Sequence, residues 1–164
     1  MARPKHSGDD SDEPGSRHRA EKNASAQPPS EGGECILIIE DNPLNMKLFR
    51  DLLQAQGYQT LEASDGQSGL DLARAEHPDL VLLDLHLPDI SGLQVAVELK
   101  SDKRTDDVPI LVVTASILPE AERSALATGC DAFLTKPITI SQFRAAVLSL
   151  LQRRRVGSKR ERSV

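Results

Sequence analysis

The sequence predicts an α/β fold, a three-layer (βα)₅ sandwich in which helices cover both faces of a parallel sheet. Five short aliphatic runs alternate with longer amphipathic stretches. Several of the runs are apolar at consecutive positions, which is typical of strands that are buried on both faces. Because βαβ crossovers are right-handed, this alternation favours a single parallel sheet with helices on its two sides.

The predicted strands are the five aliphatic runs of the chain. They are Cys35–Ile39, Gln59–Glu62, Leu80–Leu83, Ile110–Val113 and Ala132–Leu134. The first, third and fourth contain no interruption by polar residues, so we expect them to be covered on both faces.

Amphipathic helices are predicted after each strand, where apolar residues recur at helical spacing. These stretches run from Leu44 to Leu53, Leu70 to Ala73, Leu93 to Leu99, Ala121 to Leu126 and Ile140 to Leu151. Gly57 and Gly129 follow the first and fourth stretches, at positions where a left-handed residue commonly ends a helix.

The net charge of −5 is distributed unevenly along the 164 residues. Residues 1–33 combine charged and small polar residues without apolar periodicity, and we expect a disordered leader. Residues 153–164 contain six basic groups and one acid, and we expect a basic disordered tail that is solvated or self-associating. Contact of this tail with nucleic acid or an anionic membrane is the alternative. The remaining segment, 34–152, is predicted to be one folded domain with a net charge of −9.

Location and cysteine chemistry follow from what the sequence lacks. It contains no apolar run near the ~20 residues that cross a bilayer and no signal-peptide pattern, so we expect a cytoplasmic protein. Cys35 and Cys130 form no C-x-x-C pair and lie beside aliphatic runs. We therefore expect two buried thiols rather than a disulfide or a zinc site.

Polar residues whose side chains can bind a metal or take part in catalysis follow four of the five predicted strands. They are Glu40, Asp41, Asp84, Thr114 and Lys136. In an open α/β sheet, the carboxyl ends of the strands share one edge, where ligands bind. A single carboxylate at such a position is commonly a helix cap. Capping does not explain the joint placement of three carboxylates, a hydroxyl and an ammonium.

Three carboxylates held close together repel one another, which raises a pKa or recruits a hard cation. The available ligands are oxygens, so Mg²⁺ fits better than zinc. With the repulsion offset, one aspartate can act as a nucleophile toward phosphorus. Lys136 and Thr114 would then neutralise and position the phosphoryl oxygens. The residues therefore indicate a phosphoryl acceptor.

The motifs IIEDNPLN (38–45), VLLDLHLPDISG (81–92), LVVTAS (111–116) and FLTKPI (133–138) resemble the receiver domains of two-component response regulators. The resemblance implies a flavodoxin-like sheet with strand order 2-1-3-4-5. The stretches EDNPLNMKLFRDLLQAQGY (40–58) and DLHLPDISGL (84–93) further resemble DivK-type single-domain regulators of bacterial cell division.

The resemblance also implies roles for the polar residues. Asp84 would accept phosphate from the phosphohistidine of a histidine kinase. Implied Mg²⁺ ligands are Asp41, Asp84 and the backbone carbonyl of His86, with Glu40 acting through water. Thr114 and Lys136 would contact the phosphoryl group. The protein would be a phosphoacceptor that promotes only its own phosphorylation and dephosphorylation, and not an enzyme with a separate substrate.

A switch and an output face are implied in the same way. Thr114 would move toward the phosphoryl group, and Phe133 would move inward behind it, although plain core packing explains Phe133 equally well. The Lys136–Pro137 peptide bond is expected to be cis. The output face would comprise the fourth helix, fifth strand and fifth helix, within 119–151.

Expected partners are a histidine kinase or phosphatase and a phosphotransfer protein. The kinase would meet the first helix near Asn45 and Leu48. Only about a dozen residues follow the last predicted helix, too few for a DNA-binding or enzymatic output domain. We expect a monomer, with dimerisation on activation as the alternative. Competing hypotheses are a receiver-like module that takes no phosphate, a flavin carrier of the same topology, and a phosphatase with an aspartyl nucleophile.

Overall fold

The computed structural model describes residues 33–161, which form ten alternating strands and helices. In order these are β1 (Cys35–Ile39), α1 (Pro43–Gln54), β2 (Gln59–Ala63), α2 (Gly66–Glu76), β3 (Leu80–Leu83), α3 (Gly92–Ser101), β4 (Ile110–Thr114), α4 (Pro119–Ala127), β5 (Ala132–Thr135) and α5 (Ile140–Glu161). All strand pairs are parallel, and their order is β2-β1-β3-β4-β5. The predicted fold class and strand order are confirmed.

Alternate residues of the sheet face two separate apolar clusters. In β1, Leu37 and Ile39 join the cluster under α2, α3 and α4, whereas Ile36 and Ile38 join the cluster under α1 and α5. The second cluster includes Phe143 of α5, which is fully buried and stacks on Phe49 of α1 with ring centroids 5.5 Å apart. The central strands are therefore covered on both faces, as their continuous apolar runs predict.

The boundaries of the strands and of α1, α3 and α4 agree within two residues with those expected from the sequence, whereas α2 and α5 are longer than expected. Gly57 and Gly129 both have positive φ, at 88° and 97°, and lie three residues after the end of α1 and two residues after the end of α4. Their left-handed backbone ends each helix in a conformation that glycine adopts without steric cost. Strands β2, β4 and β5 each extend one residue further than predicted, because Ala63, Thr114 and Thr135 continue the backbone pairing.

The expected disordered tail is wrong for residues 153–161, because α5 continues to Glu161. The Arg154 guanidinium donates to the carbonyl oxygen of Pro78 at 2.7 Å and to Asp79 at 3.2 Å. Arg155 pairs with Glu34 beside the start of β1. These contacts attach the basic extension to the edge where the strands begin. Residues 1–32 of the expected leader and residues 162–164 of the tail lie outside the described part of the chain.

The cysteine prediction holds in part. Both thiols are free, and Cys130 is buried. Cys35 is only partly buried, because it is the first residue of β1, at the end of the sheet where the strands begin. Over residues 33–161, the helices are all too short or too polar to cross a bilayer.

Candidate functional site

Three carboxylates meet at the edge of the sheet where β1 and β3 end. Glu40, Asp41 and Asp84 each place one oxygen within 4.8 Å of the others. Glu40 and Asp84 are buried, whereas Asp41 is exposed. Backbone hydrogen bonds align the strand ends, since Glu40 N donates to Ala63 O and Asp84 N donates to Ile39 O. Neighbouring strands thereby bring two buried carboxylates to one point.

Lys136 places a single cation against the two buried carboxylates. Its Nζ lies 2.8 Å from Glu40 Oε2 and 3.0 Å from Asp84 Oδ2. The backbone N–H of Lys136 donates to Thr114 O at 2.8 Å, which holds the end of β5 against β4. The Lys136–Pro137 peptide bond is cis, as expected. The three carboxylates and one ammonium leave a formal net charge of −2 in the pocket.

Burial and charge act in opposite directions on these groups. Burial raises the pKa of Glu40, and the nearby charge of Asp84 adds to this, while hydrogen bonds from Lys136 and from Asn42 N–H oppose it. Burial alone would lower the pKa of Lys136, but its bonds to Glu40 and Asp84 outweigh that effect and raise it. Lys136 therefore stays protonated, and the anionic form of Glu40 is disfavoured without a further cation.

The other predicted residues lie around this centre. Thr114, fully buried at the end of β4, accepts a hydrogen bond at Oγ1 from Ser116 N–H at 3.4 Å. His86 is exposed, and its backbone N–H donates to Asp84 Oδ1 at 3.0 Å. Phe133 is half-buried, pairs with Val112 of β4 and packs against the cluster under α2, α3 and α4.

The loop that follows β3 (84–91) returns tightly to its own start. Gly92 N donates to Leu85 O at 3.0 Å. A Cβ atom at Gly92 would lie 2.3 Å from Asp84 O and 2.6 Å from Leu85 Cα. Since both contacts are to backbone, only glycine fits without a shift of the chain. Asp89, for which the sequence pattern indicates no role, reaches from this loop to α2, where it accepts hydrogen bonds from Gly66 N and Gln67 N.

The donor set fits a hard divalent cation. All three acidic side chains offer oxygen, the ligand type that Mg²⁺ prefers. One divalent cation would balance the formal net charge of −2 that the three carboxylates and Lys136 leave. Glu40, Asp41 and Asp84 are the side chains that would hold it.

Residues 36–148 match the family model of the response regulator receiver domain. The chain belongs to this receiver domain family. A polar-differentiation response regulator DivK from Brucella ovis is 45% identical over 116 residues, which are 71% of this chain and 94% of the relative. The DivK of Brucella anthropi is 44% identical over the same length.

Solved receiver domains share the architecture. A CheY-like receiver from Methanospirillum hungatei superposes with a TM-score of 0.73 at 22% identity, covering 77% of this chain and 99% of its own. The receiver domain of a sensor histidine kinase from Pseudomonas aeruginosa superposes with a TM-score of 0.69 at 26% identity, covering 74% and 99%. In that relative a magnesium ion is coordinated in the active-site cleft. The family and fold expected from the four motifs are thus confirmed.

Proposed function

We propose that this receiver domain accepts a phosphoryl group on Asp84 from the phosphohistidine of a histidine kinase, in a reaction that depends on Mg²⁺. The observation that supports this most directly is the buried Asp84 carboxylate, 3.0 Å from Lys136 Nζ and grouped with Glu40 and Asp41. Like the DivK relatives, the protein would act as a response regulator, and its proposed location is the cytoplasm.

In this reaction a carboxylate oxygen of Asp84 attacks phosphorus in line with the bond to the histidine nitrogen. The new O–P bond forms as the N–P bond breaks, and the electron pair of the broken bond stays on the imidazole. Hydrolysis later returns the carboxylate and inorganic phosphate. Such transfers depend on charge neutralisation and positioning more than on proton transfer.

Each pocket residue has a task in this scheme. The Lys136 ammonium would neutralise one phosphoryl oxygen, and the Thr114 hydroxyl would donate to another. Glu40, Asp41, Asp84 and the backbone carbonyl of His86 would hold Mg²⁺, with Glu40 acting through water. A bound Mg²⁺ supplies positive charge that offsets the carboxylates and the incoming phosphate.

The proposed output is a change in protein contacts. Thr114 would move toward the new phosphoryl group, and Phe133 would follow into the space behind it. The α4-β5-α5 face, within 119–151, exposes large apolar side chains, among them Leu126, Ile140 and Leu148. Such side chains on a helical surface suit a protein partner. The histidine-bearing helices of the kinase would meet α1 near Asn45 and Leu48. Partners that respond to phosphorylation, namely sensor kinases or phosphatases and a phosphotransfer protein, would dock on the 119–151 face. The receiver would act as a monomer, with dimerisation on activation as the alternative.

The test is phosphorylation of the purified chain with a small acyl phosphate and Mg²⁺, followed by intact mass spectrometry. We expect a gain of one phosphoryl group in the wild type and none in Asp84→Asn. Asp71→Asn, which changes an exposed carboxylate on α2, is the matched control and should be phosphorylated normally. A wild-type chain that gains no mass would contradict the proposal and support a module that takes no phosphate.

A further inference from the structure

We propose that Asp89 is a positioning residue that fixes the 84–91 loop, and through it the phosphoryl-accepting and metal-binding groups, against the start of α2. The inference rests on the proposed function, since it concerns the groups that bind Mg²⁺ and phosphate. Asp89 itself lies outside the pocket and touches none of the three clustered carboxylates through any hydrogen bond that the described residues show.

Both carboxylate oxygens of Asp89 are used in this contact. Oδ1 accepts from Gly66 N at 2.8 Å, and Oδ2 accepts from Gln67 N at 2.8 Å. These bonds, first that of Gly66 and then that of Gln67, lower the pKa of Asp89 to about 2. A carboxylate that accepts two backbone N–H groups at a helix start is held in one orientation.

The contact is more than a helix cap, because α2 already has one. Asp65 accepts from Ser68 N at 2.7 Å and from Ser68 Oγ at 2.9 Å, which is ordinary N-terminal capping. Asp89 binds the two preceding amides from a position 23 residues later in the sequence. It therefore joins two separate segments, whereas Asp65 acts within its own.

Packing supports the same junction. A Cβ atom at Gly66 would lie 2.5 Å from Ile90 Cγ1, so the absence of a side chain there lets the loop approach α2 closely. Gly92, which directly follows the loop, lies against the backbone of Asp84 and Leu85 at the start of the loop. The exposed His86 lies between these two fixed points, and its N–H donates to Asp84 Oδ1.

The functional consequence is that the Asp89 contact keeps the proposed Mg²⁺ ligands of the loop in their positions. Mg²⁺ demands near-octahedral geometry at short metal–oxygen distances, so ligands on a loosened loop bind it less tightly. Contacts outside the ligand set commonly change metal affinity by about 10- to 100-fold when they are lost. The Asp89 contact acts through the loop rather than on a ligand directly, and we expect a smaller loss of about 3- to 10-fold.

The test compares Asp89→Ala with Asp65→Ala in the full chain. Both substitutions remove side-chain hydrogen bonds from the start of α2, but only the first releases the loop. Mg²⁺ affinity is measured by calorimetric titration, and hydrogen exchange of the His86 and Gly92 amides is measured without Mg²⁺. We expect a several-fold higher Mg²⁺ Kd and faster exchange at both amides in Asp89→Ala alone. Asp89→Asn, which keeps one acceptor oxygen, should give intermediate values and provides a folded variant.

Equal Mg²⁺ affinity and equal loop exchange in Asp89→Ala and Asp65→Ala would overturn the inference and leave Asp89 as a second helix cap. This result is distinct from failure of the proposed function. If the wild type binds Mg²⁺ but gains no phosphoryl group, phosphoryl transfer to Asp84 is refuted. The comparison of Mg²⁺ affinity and exchange would then still decide the role of Asp89.

Discussion

Replacement of Lys136 by Met should destabilise the protein mainly when Mg²⁺ is absent. The substitution keeps an unbranched apolar stem but removes the cation that lies 2.8 Å from Glu40 and 3.0 Å from Asp84. The side chains of Glu40 and Asp84 are only 2% and 7% exposed, so solvent compensates poorly for the lost ammonium. Two buried carboxylates would then face each other and Asp41 without an internal counter-ion.

The size of the effect follows from burial and distance. At about 3 Å and an effective dielectric constant of about 20, one ion pair has a gross attraction of about 5 kcal/mol, much of it offset by desolvation. Breaking a buried pair by removing one partner costs about 3–5 kcal/mol. Because burial raises the pKa of Glu40, protonation of Glu40 relieves part of the repulsion as the pH falls, so the loss is greatest at higher pH. We therefore expect a loss of about 3 kcal/mol in the free energy of unfolding at mildly alkaline pH.

Mg²⁺ should recover much of this loss. Without Lys136, Mg²⁺ is not repelled by the Lys136 ammonium and binds a more negative pocket. If its affinity rises about tenfold, saturating Mg²⁺ stabilises the variant by about 1.4 kcal/mol more than the wild type. The loss should thus fall to about 1.5 kcal/mol, as measured by urea unfolding with Mg²⁺ and with EDTA.

A matched control is Lys100→Met. Lys100 is as buried as Lys136, with 20% against 18% of its side chain exposed. It binds Val108 O and Asp131, away from the acidic cluster. Its substitution should cost the same with Mg²⁺ as with EDTA. If Lys136→Met also lost equal stability in both conditions, the account of Lys136 as the counter-ion of a cation pocket would be refuted.

Three further outcomes are expected. Gly92→Ala should lower the free energy of unfolding in urea by about 2 kcal/mol and slow phosphorylation, because its Cβ would meet Asp84 O at 2.3 Å. Gly157→Ala is the control and should not lower the free energy of unfolding, because a Cβ atom there has no neighbour within 4 Å. Phe143→Ala should lower the free energy of unfolding by about 3–5 kcal/mol, and a loss below that of an ordinary surface substitution would contradict its place in the core. The wild type should have a higher free energy of unfolding than Asp89→Asn. This difference should be fully present above pH 3.8 and shrink as the pH falls toward about 2, because folding lowers the pKa of Asp89. A difference that grows as the pH falls would contradict this prediction.

The sequence predicts the central strands well because their apolar runs are continuous. It also predicts that Glu40, Asp84 and Lys136 meet, since parallel strands end at one edge of the sheet. Asp89 was not predicted, because an aspartate after a proline resembles an ordinary turn residue. Its partner Gly66 lies 23 residues earlier, and no local pattern connects the two.

The end of α5 escaped prediction for a related reason. A run of arginines without apolar periodicity resembles a solvated segment, and composition alone cannot identify the acidic groups that meet it. In the folded chain, Arg154 contacts Asp79, which lies in the connection just before β3, and Asp107, which lies in the connection just before β4. Ion pairs with distant segments thus hold the first turn of the basic extension in place, and arginine and lysine themselves favour a helix.

Helix α5 is long enough to act as a lever arm. Its 22 residues span about 33 Å, from the segment after Lys136 to the opposite edge of the sheet. A tilt of about 5° at the pocket end would move the far end by about 3 Å if the helix turned as a rigid rod. A spectroscopic probe at Val156, which is exposed, could therefore record events at Asp84 without entering the pocket.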